Sequence, residues 1–143
     1  MGNSMADPFN LERFVDAQRT QFEAARSELA AGRKVGHWIW FIFPQIKGLG
    51  QSWMSQQYAI SSLAEAEAYL QHPILGPRLR ECTRLVNGVK GRTSEEIFGG
   101  IDSMKFRSSM TLFAKAAADK QIFLDALNQY FAGEFDPLTI QRL

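Results

Sequence analysis

Gly36-His37-Trp38-Ile39-Trp40-Phe41-Ile42-Phe43-Pro44 is the stretch on which the fold of this chain turns. Its apolar run suits either a buried strand or two turns of buried helix, and periodicity does not separate them. No second strand-like run exists to pair with it, and a lone strand is not viable. The stretch therefore predicts a short helix broken by Pro44, followed by a glycine-rich loop over residues 46–51. Three tryptophans fall between Trp38 and Trp53, so rings that need both burial and a polar partner are concentrated in one segment.

Outward from that segment the patterning is helical. Phe14, Gln18, Phe22, Ala25 and Leu29 recur at spacings of three and four, an amphipathic helix with Asn10 as its expected N-cap and Gly32 as its stop. Ser52 is placed to cap a turn running to Tyr58. Ser62-Leu-Ala-Glu65 reads as a capping box opening a helix that ends near Gln71, with His72-Pro73 as punctuation. Leu75, Leu79, Cys82, Leu85 and Val86 mark another helix, and Ser94–Phe98 a helical turn closed by Gly99-Gly100. Asp102 is the expected N-cap of a helix to Ala118 carrying Met104, Phe106, Met110, Phe113 and Ala117 inward. A further helix spans 119–132, and Asp136-Pro137 supplies N-cap and N1 of a last one. The expectation is all-α: a single compact globular domain of about six or seven helices over residues 5–143, with residues 1–4 an expression-tag remnant.

Composition narrows the function classes. A chain of 143 residues is large enough for one real core, and 45% hydrophobic with 22% charged residues is the balance of a soluble globular protein. The formal net charge of +1 supplies no overall field toward nucleic acid or an anionic membrane. Arg78, Arg80, Arg84 and Arg92 alone make no basic stripe, so nucleic-acid binding is not expected. The longest apolar run is far short of a bilayer span, nothing reads as a signal peptide, and the expected location is cytoplasmic. Cys82 is the single cysteine, which leaves no disulfide framework. With His37 and His72 the only histidines and no carboxylate at ligand spacing, neither a metal nor a cofactor is expected.

With these residues laid out, the chain resembles the domain-of-unknown-function family 1810 over nearly its full length. The blocks that carry the likeness are His37–Gln45, Gly48-Leu-Gly-Gln-Ser52, Tyr58-Ala-Ile60, Tyr69-Leu-Gln-His-Pro73 with Leu75-Gly76, Asp102-Ser-Met-Lys105, Ser108–Phe113, and Phe131-Ala-Gly133 with Asp136. The resemblance implies a compact, mainly helical fold and brings no activity with it.

The residues that combine rings with donors suggest a pocket for a small polar or anionic molecule. Trp38, Trp40 and Phe41 would form its floor. His37, Gln45, the loop with Gly48, Gly50 and Ser52, Tyr58, Lys105 and Ser108 would form its rim. The loop could present consecutive N–H groups to an anion, yet it lacks the ending of a phosphate-binding loop, and glycines serve turns by default. Lys105 and Ser108 share a helix face, in the reverse order of a Ser-x-x-Lys nucleophile pair and without its companion motifs, so packing is the leading account of them. The competing expectation is a protein-interaction or self-associating module that leaves the aromatic run as an exposed patch. Oligomeric state and catalysis are left open by these residues.

Overall fold

Phe14, Gln18, Phe22, Ala25 and Leu29 line one stripe of the first helix, α1 (Glu12–Ala30), and all five are buried. The computed structural model describes residues 7–143; the supposed tag remnant lies outside them. The cap of α1 differs from expectation. Asn10 adopts a left-handed backbone (φ 53°), and it is Asp7 that accepts the N–H groups of Leu11 (2.7 Å) and Glu12 (3.0 Å). The turn at Asn10 brings that carboxylate back to the orphan amides a helix start exposes. Gly32, at φ 77°, ends the helix as predicted.

The aromatic run forms one helical turn, α2 (Ile39–Ile42), wedged between α1 and the long helix α7 (Gly100–Ala116). Trp38, Ile39, Phe41, Ile42 and Phe43 are all buried. Phe43 meets the Phe106 ring edge-on at 4.9 Å, and Phe98 stacks on Phe106 at 4.7 Å. The Trp38 indole donates to Glu28 Oε1 at 2.9 Å, which also accepts the N–H groups of Val35 (2.8 Å) and Gly36 (2.9 Å). Burial works against ionisation of Glu28. The donors of Gly36, Val35 and Trp38, with Lys34 nearby, outweigh it and hold the carboxyl below its usual range.

Beyond Pro44 the chain makes an isolated parallel bridge between Ile46 and Ile60, the only β-type pairing among the described residues. It pins both ends of the glycine loop and of α3 (Trp53–Gln57), which Ser52 caps by accepting the Ser55 N–H. Ser62 caps α4 (Leu63–Gln71), but only half of the expected capping box forms. Glu65 turns instead to Ser61 and to a buried ion pair with Arg13 at 2.9 Å, because a desolvated guanidinium needs the charge more than a solvated amide does. His72 ends α4 and also opens α5 (Leu75–Asn87), its Nδ1 accepting the N–H groups of Ile74 and Leu75. The complete capping box is Thr93 with Glu96, at the start of α6 (Ser94–Phe98).

Gly99 rather than Asp102 precedes α7. Asp102 lies in its first turn and pairs with Lys34 at 2.7 Å, tying the α1–α2 connection to this helix. Met104, expected in the core, is 70% exposed; Phe106, Met110 and Phe113 are buried as predicted. α8 (Gln121–Phe131) and α9 (Pro137–Gln141) complete the chain, with Asp136 capping α9. The described residues thus hold nine helices, five of nine residues or more and four single turns, in one all-α domain. The excess over six or seven comes from counting as helices all four single turns, each marked in the sequence by its cap or break residues. α7 is the hub, packed against α2, α4, α6, α8 and α9. No described helix is long and apolar enough to cross a membrane.

Candidate functional site

α7 buries one side against the core and leaves Ile101, Met104 and Lys105 along the opposite side, with Ser108, buried at the base of that stripe, three residues further on. The start of α9 faces that stripe from one direction and the glycine loop from another. Between them lies an open recess of about 220 Å³, lined by Gln45, Leu49 and Gly50 from the loop, the α7 stripe with Arg107, and Asp136 and Leu138 from α9.

Hydrogen bonds fix the α9 wall. Asp136 Oδ2 accepts from Ser108 Oγ (2.8 Å), Thr139 Oγ1 (2.6 Å) and the Thr139 N–H (3.2 Å), while the Asp136 N–H donates to Thr111 Oγ1 (2.9 Å). The Arg107 guanidinium donates to the carbonyls of Glu134 (3.2 Å) and Phe135 (3.0 Å), so these donors hold the segment while its positive charge remains. Glycine is required at Gly48 by its positive φ and at Gly50 by the close approach of Ser55. Gly48, at φ 93°, lies under the Arg142 guanidinium, where a Cβ would come within 2.4 Å of Nη1. A Cβ on Gly50 would meet Ser55 Oγ at 2.4 Å.

What remains free defines the chemistry. Lys105 Nζ has no ion-pair partner among the described residues and lies 5.2 Å from the centroid of the Trp40 ring. The Gln45 carboxamide and the N–H groups of Gly48, Leu49 and Gly50 have no protein partner among the described residues. All three donors to Asp136 among the described residues converge on Oδ2; Oδ1 receives none from them and is not buried. Around these groups stand large apolar side chains that are mostly exposed: Ile101 at 73%, Met104 at 70% and Leu138 at 56%. Exposed apolar groups on a convex surface need no explanation, but gathered at a concavity they mark a binding surface.

Four of the residues singled out from sequence therefore meet at one recess: Gln45, Gly50, Lys105 and Ser108. Gly48 belongs to the same loop and is exposed, but it is not among the lining residues. Ser52 is exposed and occupied in capping α3, a single turn that aligns too few peptide dipoles to attract an anion. Tyr58 packs on Phe14 and Phe41, at 5.8 Å and 5.3 Å between ring centroids. His37 is exposed and not among the lining residues, and Trp38 is fully buried. The expected indole floor is thus corrected. The rings are core, and only Trp40 approaches the recess, through Lys105. The Trp38–Phe43 run does not form the exposed aromatic patch expected of an interaction module, because five of its six residues are buried and Trp40 is half-buried, while Trp53 is 70% exposed.

Asp136, Leu138, Ile101 and Arg107 were not legible as site residues, Leu49 was read only as part of the rim loop, and Met104 was read as core. The spacing Ile101-x-x-Met104-Lys105-x-x-Ser108 carried a signal, since it puts one cation and one hydroxyl on an apolar helix face. Lys105 and Ser108 make no hydrogen bond to one another. The Ser108 hydroxyl has one proton for Asp136 Oδ2 (2.8 Å) and the Met104 carbonyl (3.1 Å), so its hydrogen-bond partner is a carboxylate that caps α9 and not the Lys105 amine. No group of three His, Cys, Asp or Glu among the described residues is placed to hold a metal. Cys82 is buried, its thiol pushed up to about 12 chiefly by desolvation. The arginines considered for nucleic acid are dispersed. Arg78 lies over Phe22, Arg80 over Phe123, and Arg92 donates to the Gly32 and Glu96 carbonyls.

Comparison with known proteins agrees with this fold over its whole length. The crystal structure of the conserved hypothetical protein Rv1873 from Mycobacterium tuberculosis superposes with a TM-score of 0.95 at 55% identity, covering 96% of this chain and 98% of that one. Among curated proteins no match is found. The family model described as "Protein of unknown function (DUF1810)" matches residues 8–143, and the chain belongs to that family.

Proposed function

We propose that this protein binds a small, partly apolar organic acid in the recess between α7, α9 and the Gly48–Ser52 loop. The observation that carries the reading is Lys105, a cation without an ion-pair partner among the described residues, set among Leu49, Ile101, Met104 and Leu138 at a concavity. An ammonium in such surroundings gains more from a carboxylate than one in open water, because the apolar rim lowers the local dielectric. The Gln45 carboxamide and the free loop N–H groups would supply further donors to the acid. A volume of about 220 Å³ lies under the ~300–1,000 Å³ of drug-sized sites, which suits a short-chain metabolite and is too small for a dinucleotide.

The reading is tested by thermal shift of wild type and Lys105→Met against a panel of small carboxylic acids. Stabilisation by at least one branched or straight-chain acid is expected in wild type, and its loss in Lys105→Met. Equal shifts in both proteins would refute the assignment of the acid to Lys105.

A second reading has its own observation. The rim formed by Ile101, Met104 and Leu138 also suits the docking of an apolar segment of a partner or a second copy. Sedimentation velocity over a wide concentration range separates the two. Association abolished by Met104→Lys supports docking, and a concentration-independent monomer supports the small-molecule site.

A further inference from the structure

Resting on the small-molecule reading of the recess, we infer that its ligand is a zwitterion with an apolar side chain, the chemistry of an apolar α-amino acid. Among the described residues the recess lining carries two cations without an ion-pair partner, Lys105 and Arg107, and one half-free carboxylate, Asp136. The Arg107 donors are engaged by the Glu134 and Phe135 carbonyls, which leaves Lys105 as the cation whose donors are open to a ligand. Lys105 has no ion-pair partner among the described residues, and Asp136 keeps Oδ1 unoccupied while Oδ2 takes all three of its donors. The two residues line the same recess yet do not pair with each other, since no Lys105–Asp136 contact falls within the 4.0 Å that an ion pair requires.

Opposite charges that share a recess and stay apart are ready for a ligand that bridges them. A simple acid would satisfy Lys105 but bring its carboxylate toward Asp136. A simple amine would satisfy Asp136 but meet the Lys105 ammonium. A zwitterion satisfies both at once, its carboxylate at Lys105 and its ammonium at Asp136 Oδ1. The remaining wall says what else the ligand carries. Apart from Arg107, whose donors are already engaged by two carbonyls, Leu49, Met104 and Leu138 offer apolar surface, so the third substituent is a hydrocarbon chain. The hydrogen bonds to Oδ2 hold the Asp136 carboxylate in place before a ligand arrives, which reduces the ordering cost of binding.

The test is isothermal titration of the whole protein with L-leucine, 4-methylpentanoic acid, which lacks the ammonium, and isoamylamine, which lacks the carboxylate. Wild type is expected to bind leucine at least about tenfold more tightly than either analogue, because a site with a buried or positioned polar group rejects the compound that leaves it unpaired. Asp136→Asn keeps an oxygen to cap α9 and is expected to bring leucine down to the level of 4-methylpentanoic acid, with binding of that acid retained as the control for folding. If the acid binds wild type as tightly as leucine, or if Asp136→Asn leaves the preference for leucine intact, the zwitterion inference is overturned while the acid-binding reading stands. If neither leucine nor the acid binds in a way that depends on Lys105, both fall together.

Discussion

Replacing Glu28 with alanine removes the acceptor that organises the connection between α1 and the aromatic turn, and the cost follows from the three donors it strands. The N–H groups of Val35 and Gly36 lie at a surface where water can replace the carboxylate, so each loses a net ~0.5–1.5 kcal/mol. The Trp38 indole belongs to a residue with 0% exposure, so its N–H stays unpaired at a cost of about 1–3 kcal/mol. The sum is about 2–6 kcal/mol. For 143 residues each kcal/mol moves Tm by about 3 °C, so a loss of roughly 6–18 °C is expected at neutral pH. Glu28→Gln keeps an acceptor oxygen and loses only the charge, so about 1 kcal/mol or 3 °C is expected. The folded carboxyl lies below its ordinary value of 4.5, so its contribution is fully present above that value and is lost as pH falls through the lower folded one. Differential scanning calorimetry from pH 7 to pH 3 should therefore show wild type and Glu28→Gln converging at the acid end. A shift under about 3 °C for Glu28→Ala, or a wild-type advantage over Glu28→Gln that is unchanged at pH 3, would refute the assignment of the carboxylate as the anchor of this segment.

Other substitutions test the fold and the site separately. Gly76→Ala places a Cβ 2.0 Å from the Leu70 carbonyl oxygen, which forces α4 and α5 apart; a loss of about 3 kcal/mol is expected in urea denaturation. Gly50→Ala meets the Ser55 side chain at an exposed loop, so stability should fall by about 1 kcal/mol or less while acid binding is lost, and adding Ser55→Gly should restore binding in the same titration. Cys82, buried and with its thiol raised to about 12, should not react with an aromatic disulfide reagent at pH 8 in the native protein, and should react fully once denaturant unfolds the chain.

The long helices were legible because burial repeats along them. Phe14 through Leu29 and Phe106 through Phe113 show the core-facing period directly, and Asp136-Pro137 announces α9 through its own backbone chemistry. Caps were less legible, because the same carboxylate has more than one suitor. Asp7 displaced Asn10 through a left-handed turn that no short-range pattern signals. Glu65 left the capping box for Arg13, a residue 52 positions away. The fate of the rings was hidden for the same kind of reason. Trp38 resembled a pocket wall in sequence, and only the placement of Glu28 ten residues earlier satisfies its indole and allows full burial.

The recess itself draws on three segments, around 45–50, 101–108 and 136–138, that meet only when α9 docks on α7. Lys105, Ser108, Gln45 and Gly50 could be singled out because their types are unusual beside apolar neighbours. Asp136 could not, since its role as a helix cap already accounted for it, and the freedom of its second oxygen is visible only in three dimensions.

Chemical-shift mapping with an 15N-labelled chain and a short-chain carboxylic acid tests the ligand site most directly. Saturable shifts confined to Gly50, Met104, Lys105, Ser108, Leu138 and their neighbours, and absent from Lys105→Met, are the expected result. Saturable binding that maps elsewhere on the surface, or no perturbation of the α7–α9 recess by any acid, would contradict it.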